Sequence, residues 1–299
     1  MDNSLVWGAV DRPHSIWRYT DQIYKVVQFY EDRPLTVSRD PSTFKHSGKR
    51  LDASLSRSRR VLFEKALCNH WEWFGTFTLN AAWWDRYSLP DFHKAFLQWI
   101  RDQRKKGSDI RFLLVPEKHG DGAWHCHGLL SGVAELVLES FADMDARGYL
   151  SPEGRPLPRA LVNSAYFNWT PYSEKFGYCS LGPVKSQIGS AFYMVKYITK
   201  DLSRSLDALG LHCYWPSRGL AGAEKTVEFY GRDPALERIL VNKFDYCRTG
   251  MTTVADGCDW TFGFDYLNFD QFEPLFPSDQ TLADEFNFYD GTQLDFWNA

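Results

Sequence analysis

The 299-residue chain has no run approaching the roughly 18 apolar residues that a membrane-spanning helix requires. It has no internal repeat, and the residues after Met1-Asp2-Asn3 are mixed polar sequence rather than the apolar core of a signal peptide. Its six cysteines (Cys68, Cys126, Cys179, Cys213, Cys247, Cys258) are scattered, with no Cys-x-x-Cys pair. That argues against structural zinc and fits a reducing compartment, so a cytoplasmic location without a membrane partner is expected. A Walker A sequence is also missing, since Gly219-Leu-Ala-Gly222-Ala-Glu-Lys225-Thr226 lacks a glycine immediately before the lysine. Lysine and arginine disappear after Arg248, where ten Asp or Glu follow. The net charge of −4 therefore conceals a body, residues 1–248, with 34 basic against 28 acidic residues. A mildly basic body with an acidic tail is compatible with a nucleic-acid substrate, although many domains with no such partner share this balance.

What is present begins with Glu117-Lys-His-Gly-Asp-Gly-Ala-Trp-His125-Cys-His127. In a strand, residues two apart share a face, so His125 and His127 would project side by side with Cys126 turned away. The flanks, Arg111-Phe-Leu-Leu-Val-Pro and Gly128-Leu-Leu-Ser, read as strands around a hairpin turn. A two-residue loop, Asp121-Gly122, would set Glu117 opposite Cys126, on the wrong face. A three-residue loop, Gly120-Asp121-Gly122, with Gly122 in the left-handed conformation, sets Glu117 opposite His125 and diagonal to His127. The three-residue register is adopted. It makes a His, His, Glu cluster suited to a divalent ion. Without a metal, the same residues would be two half-exposed strand histidines and a surface glutamate. His119 beside the turn is either a further ligand or an exposed loop histidine.

Residues 186–205 read as a helix. Ile188, Ala191, Val195, Ile198 and Leu202 form an apolar stripe, while Tyr193, Lys196, Tyr197 and Lys200 gather on roughly the opposite side. Tyr193 and Tyr197 are one turn apart. The alternative is a solvated face with two amphipathic tyrosines.

Together these segments resemble the HUH endonucleases, specifically the rolling-circle replication initiators (Rep proteins) of bacterial single-stranded DNA phages, prophages and plasmids. That family carries a His-hydrophobic-His motif, met by His125-Cys126-His127. Its nucleophile motif is Tyr-x-x-Lys or Tyr-x-x-x-Tyr with an intervening lysine, and Tyr193-Met-Val-Lys196-Tyr197 satisfies both. Its first motif, a strand rich in threonine and apolar residues, is matched by Phe74-Gly-Thr76-Phe-Thr78-Leu-Asn80. The three motifs occur in the family's order and span roughly residues 60–230. Cysteine is a less usual middle residue, but it is small and apolar enough to pack beneath the sheet.

The resemblance implies an α+β fold, a central antiparallel sheet with flanking helices of the ferredoxin-like or RRM-like kind, with N- and C-terminal extensions. The expected boundaries are an extension over 1–58, the endonuclease domain over 59–248 and an acidic, aromatic tail over 249–299. Within the domain, a strand at 73–80 leads to a helix at about 89–106, with Phe92, Ala95, Phe96, Trp99 and Ile100 as its core stripe. The metal hairpin comes next, then a helix at about 134–146, a loop-like insertion over 149–175, a short strand at Tyr178-Cys-Ser-Leu and the tyrosine helix. His212-Cys-Tyr-Trp returns to the sheet. Thr43 to Arg60, with Lys45, Lys49, Arg50, Arg57, Arg59 and Arg60 against the one acid Asp52, is a phosphate contact or a solvated linker or helix face. The tail docks on a partner, folds back over the basic body, or packs its aromatics on the core.

The implied chemistry is site-specific cleavage of single-stranded DNA at a replication origin. A Mg²⁺ or Mn²⁺ ion on His125, His127 and Glu117 would polarise the scissile phosphate. Tyr193 would attack first and Tyr197 second, with Lys196 or Lys200 favouring the phenolate or stabilising developing charge. The products would be a 5′-phosphotyrosine and a free 3′-hydroxyl that can prime synthesis. Strand separation and extension would fall to a host helicase and polymerase. Rival readings are a noncatalytic single-strand-binding sheet, a metal-dependent hydrolase that activates water, and, within the superfamily, a transposase or relaxase. Thr76 and Thr78 share a strand face and would touch DNA or simply express β-propensity.

Overall fold

The computed structural model describes residues 13–29, 48–151, 154–198, 202, 211–230, 240, 242–243, 247–253 and 262–264. The chain divides into two compact units, residues 1–43 with 223–299, and residues 44–222.

The larger unit opens with α1 (Gly48–Leu67) and then β3 (Trp73–Thr78), which is numbered after β1 and β2 of the other unit. Next come α2 (Leu89–Lys105), β4 (Arg111–Lys118), β5 (Trp124–Ser131), β6 (Leu138–Ser140), α3 (Phe141–Ala146) and α4 (Arg159–Val162). It continues through β7 (Phe167–Trp169), α5 (Thr170–Ser173), β8 (Cys179–Pro183), α6 (Gln187–Lys196) and β9 (Trp215–Pro216). The seven strands form one sheet in the order β6-β7-β8-β3-β5-β4-β9, every pairing antiparallel. The β8-β3-β5-β4 core is a split βαβ arrangement in which α2 crosses from β3 to β4. The fold is therefore α+β, built on a central antiparallel sheet.

Strand alternation sorts the two faces. Phe77, Phe112 and Cys126 lie on one face, and α2 covers it with Leu89, Phe92, Phe96, Trp99 and Ile100 buried. Phe96 meets both Phe77 and Phe112, while Trp99, Tyr172 and Phe176 extend the aromatic cluster. Each ring fully buried there stabilises the unit by roughly 1.5–3 kcal/mol. Pro90 sits in the first turn of α2, and Gly107 lies just beyond the helix at φ +95°. The opposite face carries Phe74, Thr76, Thr78, Glu117, His125 and His127. Phe74 and His127 there meet the rings of α6. Behind α6 runs α1, joined to it by the Phe63–Phe192 ring pair and by Arg59 Nε–H donating to the Ile198 carbonyl at 2.9 Å. Arg59 thus binds a backbone carbonyl just past a helix end, within the stretch read as a phosphate contact or solvated segment. Residues 43–47 of that stretch lie outside the described residues.

The smaller unit is a second antiparallel sheet. Its strands are β1 (Pro13–Arg18), β2 (Ile23–Phe29), β10 (Glu224–Tyr230), β11 (Asn242–Lys243), β12 (Cys247–Thr253) and β13 (Phe262–Phe264). The order is β10-β1-β2-β12-β11, with β13 also on β12. The units divide the chain at 43/44 and 222/223, whereas the sequence suggested 58/59 and 248/249. The reason is pairing across the length of the chain: His14 opposes Phe229 on one side and Gln28 on the other, and Gln28 opposes Arg248.

Three local expectations change. The helix placed at 134–146 begins only at Phe141, because Glu135–Val137 is a single 3₁₀ turn and Leu138–Ser140 pairs with β7. Ser140 Oγ caps α3 by accepting from the Asp143 amide at 3.0 Å. The insertion at 149–175 contains β7 and two short helices, and its Trp169 and Tyr172 are core residues. The tyrosine helix runs Gln187–Lys196 and not 186–205, with Ser186 as N-cap and Tyr197 closing it. No helix among the described residues is long and apolar enough to cross a membrane.

Candidate metal centre and tyrosine pair

The hairpin of β4 and β5 has the register of the three-residue loop, with Glu117 directly opposite His125 and Val115 opposite His127. The turn is set by local chemistry. The His119 amide donates to the Ala123 carbonyl at 2.8 Å, and the Gly122 amide donates back to the His119 carbonyl at 2.9 Å. Gly122 has φ +88°, a conformation that costs glycine little. The Asp121 carboxylate accepts from the Ala123 amide at 2.9 Å and lies 3.6 Å from the Arg86 guanidinium.

On the resulting face three ligand atoms form a nearly equilateral triangle. His125 Nε2 is 3.1 Å from Glu117 Oε2 and 3.0 Å from His127 Nε2, and His127 Nε2 is 2.9 Å from Glu117 Oε2. An octahedral ion with bonds of about 2.0–2.1 Å holds neighbouring ligands about 3.0 Å apart, so the triangle fits one face of such a shell. Both imidazoles are buried and Glu117 is half-buried, leaving the carboxylate side open. The three residues form a possible metal-binding triad.

The charges suit a cation. Burial, acting against the pull of Glu117, lowers His125 to about 4, so at neutral pH it is an uncharged imidazole able to offer a lone pair. Burial pushes the Glu117 carboxyl up, but hydrogen bonds to His125 and His127 outweigh it and hold the group well below the usual carboxylate range. Cys126, fully buried on the far face, has its thiol pushed well above the ordinary value by burial alone.

Second contacts come from β3, the middle strand of the sheet, where Thr76 opposes His127 and Thr78 opposes His125. Thr76 Oγ1 lies 3.1 Å from His127 Nδ1. A hydroxyl can donate or accept. It donates to Nδ1 when Nε2–H faces Glu117, and accepts from Nδ1–H when Nε2 turns its lone pair outward. His125 Nδ1 is buried with no such partner. The sequence offered Thr76 as a DNA contact or a plain strand residue. Its role beside His127 depends on the β3–β5 register, which two separated segments do not disclose.

The tyrosines reach the same place from α6. The Tyr197 ring stacks on His127 with centroids 4.2 Å apart and planes at 16°. Tyr193 packs edge-on against Phe74 at 5.1 Å. The two rings are nearly perpendicular, and Tyr197 Oη–H donates to Tyr193 Oη at 2.8 Å. The Lys196 ammonium sits 4.8 Å over the Tyr193 ring while remaining exposed. Both tyrosines are buried, contrary to a face set apart from the core, because α6 is packed against the sheet on one side and α1 on the other. Lys200 lies outside the described residues. The His119 ring stands 5.2 Å from that of His125, at the edge of the triad rather than among its three ligands.

No curated protein and no solved structure matches the chain. Residues 72–202, the segment that carries the triad and both tyrosines, match the family model of the replication-associated protein ORF2, and at the level of that family the resemblance drawn from three short motifs holds.

Proposed function

We propose that the chain initiates rolling-circle replication by nicking single-stranded origin DNA through tyrosine transesterification. The observation that carries this reading is the seating of a hydrogen-bonded tyrosine pair directly on a metal-ligand histidine. A divalent ion at the triad, Mg²⁺ or Mn²⁺, supplies Lewis-acid polarisation of the scissile phosphate. Tyr193 Oη attacks phosphorus, the Oη–P bond forms as the P–O3′ bond breaks, and the 3′-oxygen leaves and takes up a proton. Donation from Tyr197 Oη–H stabilises negative charge on the Tyr193 oxygen, and Lys196 adds a nearby positive charge. This order makes Tyr193 the first nucleophile and leaves Tyr197 for a second transfer. The 5′-phosphotyrosine conserves the energy for rejoining, and the free 3′-hydroxyl primes a host polymerase behind a host helicase. Residues 59–248 are the proposed endonuclease domain, with Lys200 as a second candidate cation.

A covalent-transfer assay tests the reading. The protein is mixed with labelled single-stranded DNA spanning its replicon's origin, with Mn²⁺ or Mg²⁺, and resolved on denaturing gels. The expected adduct disappears with EDTA, in the Tyr193→Phe, Tyr197→Phe double variant and in His125→Ala. Metal-dependent cleavage without an adduct would assign the site to a water-activating hydrolase. Binding without cleavage of the origin strand would assign it to noncatalytic single-strand binding.

A further inference from the structure

We infer that the loop between β3 and α2, residues 79–88, is a base-stacking surface that holds the single-stranded DNA beside the tyrosine site, through Trp83 and Tyr87. The inference rests on the proposed DNA substrate but on none of the metal or tyrosine residues.

The loop is firmly held. Asn80 organises its start, its carbonyl accepting from the Trp83 and Trp84 amides at 3.1 and 3.0 Å and its side chain from the Ala82 amide at 2.8 Å. Asp85 accepts from the Tyr87 amide through its carboxylate at 2.9 Å and from the Ser88 amide through its carbonyl at 3.3 Å. Trp84 is anchored inward, its indole N–H donating to the Lys175 carbonyl at 2.9 Å and its ring lying 5.2 Å from Phe176. Yet this ordered loop leaves Trp83 54% and Tyr87 61% exposed, two of the four large hydrophobic side chains exposed among the described residues. Rings fixed in place and open to water are prepared to bind, because little conformational freedom remains to be lost.

The surroundings favour a nucleic acid. Trp83 and Trp84 line an open groove of about 550 Å³ whose other wall is the exposed Lys94, Gln98 and Arg101 side of α2. Its two acids are already engaged, Asp85 with the Tyr87 amide and Asp91 with the Ser88 hydroxyl at 2.6 Å. Aromatic rings bordered by cations match successive bases and phosphates of a single strand. The loop also adjoins the metal hairpin. The Arg86 carbonyl accepts from the Trp124 amide at 2.8 Å, one residue before His125, and the Tyr87 ring flanks Gly122. A strand whose phosphate is at the triad would thus pass these rings.

Fluorescence anisotropy with 5′-fluorescein dT15 tests this, alongside an oligonucleotide of equal length with abasic sites in place of thymine. Stacking on one ring contributes about 5- to 150-fold in affinity. Trp83→Ala and Tyr87→Ala should each weaken dT15 binding within that range, the abasic strand should bind the wild type correspondingly less well, and Trp83→Phe should restore most of the loss. The unchanged melting temperature expected for substitutions at exposed rings separates the effect from misfolding. Wild-type binding of dT15 that survives both alanine variants, or equal binding of thymine and abasic strands, would overturn the stacking surface while leaving the proposed function intact. Failure of the wild type to bind any single strand, origin included, would overturn both.

Discussion

Thr76→Val isolates one atom at the proposed metal centre. Valine keeps the shape and strand preference of a nearly buried residue and deletes only the hydroxyl that meets His127 Nδ1 at 3.1 Å. In the metal-free protein the variant leaves Nδ1 buried and unsatisfied, at a cost of about 1–3 kcal/mol, readable by urea unfolding. In the loaded protein the ring loses the contact that fixes its orientation, and loss of such an outer partner typically weakens metal binding 10- to 100-fold. Calorimetric titration with Mn²⁺ should show that loss, with Thr76→Ser recovering most of it. A direct readout comes from nitrogen-15 NMR of the Zn²⁺-loaded protein, where His127 should carry its proton on Nδ1. Mn²⁺ affinity within twofold of wild type in Thr76→Val, or a His127 proton on Nε2 in the loaded protein, would refute the reasoning.

Further expectations rest on the same geometry. Mn²⁺ at a hundredfold excess over its dissociation constant should stabilise the protein by about 2.7 kcal/mol and raise its melting temperature by several degrees, and EDTA should reverse the gain. Glu117→Gln keeps the side-chain length but removes the anion, so calorimetry should show Mn²⁺ affinity at least about tenfold weaker, given the worth of a charged ligand in a partly buried site. Gly128→Ala would place a Cβ 2.2 Å from Leu114 Cδ2 and 2.5 Å from the Leu113 carbonyl oxygen. It should destabilise the hairpin by about 1–3 kcal/mol or more in urea, since the backbone half of that clash cannot rotate away. For pH, the unfolded His125 takes up a proton near 6.5, whereas burial keeps it off in the folded state until about 4. Stability is therefore retained above pH 6.5 and falls as pH drops from 6.5 toward 4, by up to about 3 kcal/mol, which unfolding curves across that window would read.

The hairpin was legible because everything that fixes it is local. Gly122, Asp121 and the spacing of Glu117 to His125 lie within eleven residues, and alternation did the rest. Helix α2 was legible for the same reason, with its stripe, Pro90 and Gly107 in one window. The tyrosine helix was legible as a helix but not in its surroundings. What buries Tyr193 and Tyr197 is a helix beginning at Gly48 together with strands reaching to residue 131, and no window on α6 contains them. The strand at Phe167–Trp169 went unread because three residues show no period. The second sheet was hidden most completely, since its central pairs join residues 23–29 to 247–253 and each segment alone is an ordinary short strand.

That second sheet also imposes a schedule on synthesis. Strands β1 and β2 leave the ribosome early, but β10, the first of their remaining partners, starts at Glu224. At translation rates of about 5–20 residues per second, the interval is roughly 10–40 s. The 44–222 unit, whose strands pair only with one another, can complete itself within that interval. A two-stranded hairpin has little stability of its own in water, so the ends of the newborn chain wait while its middle is already folded.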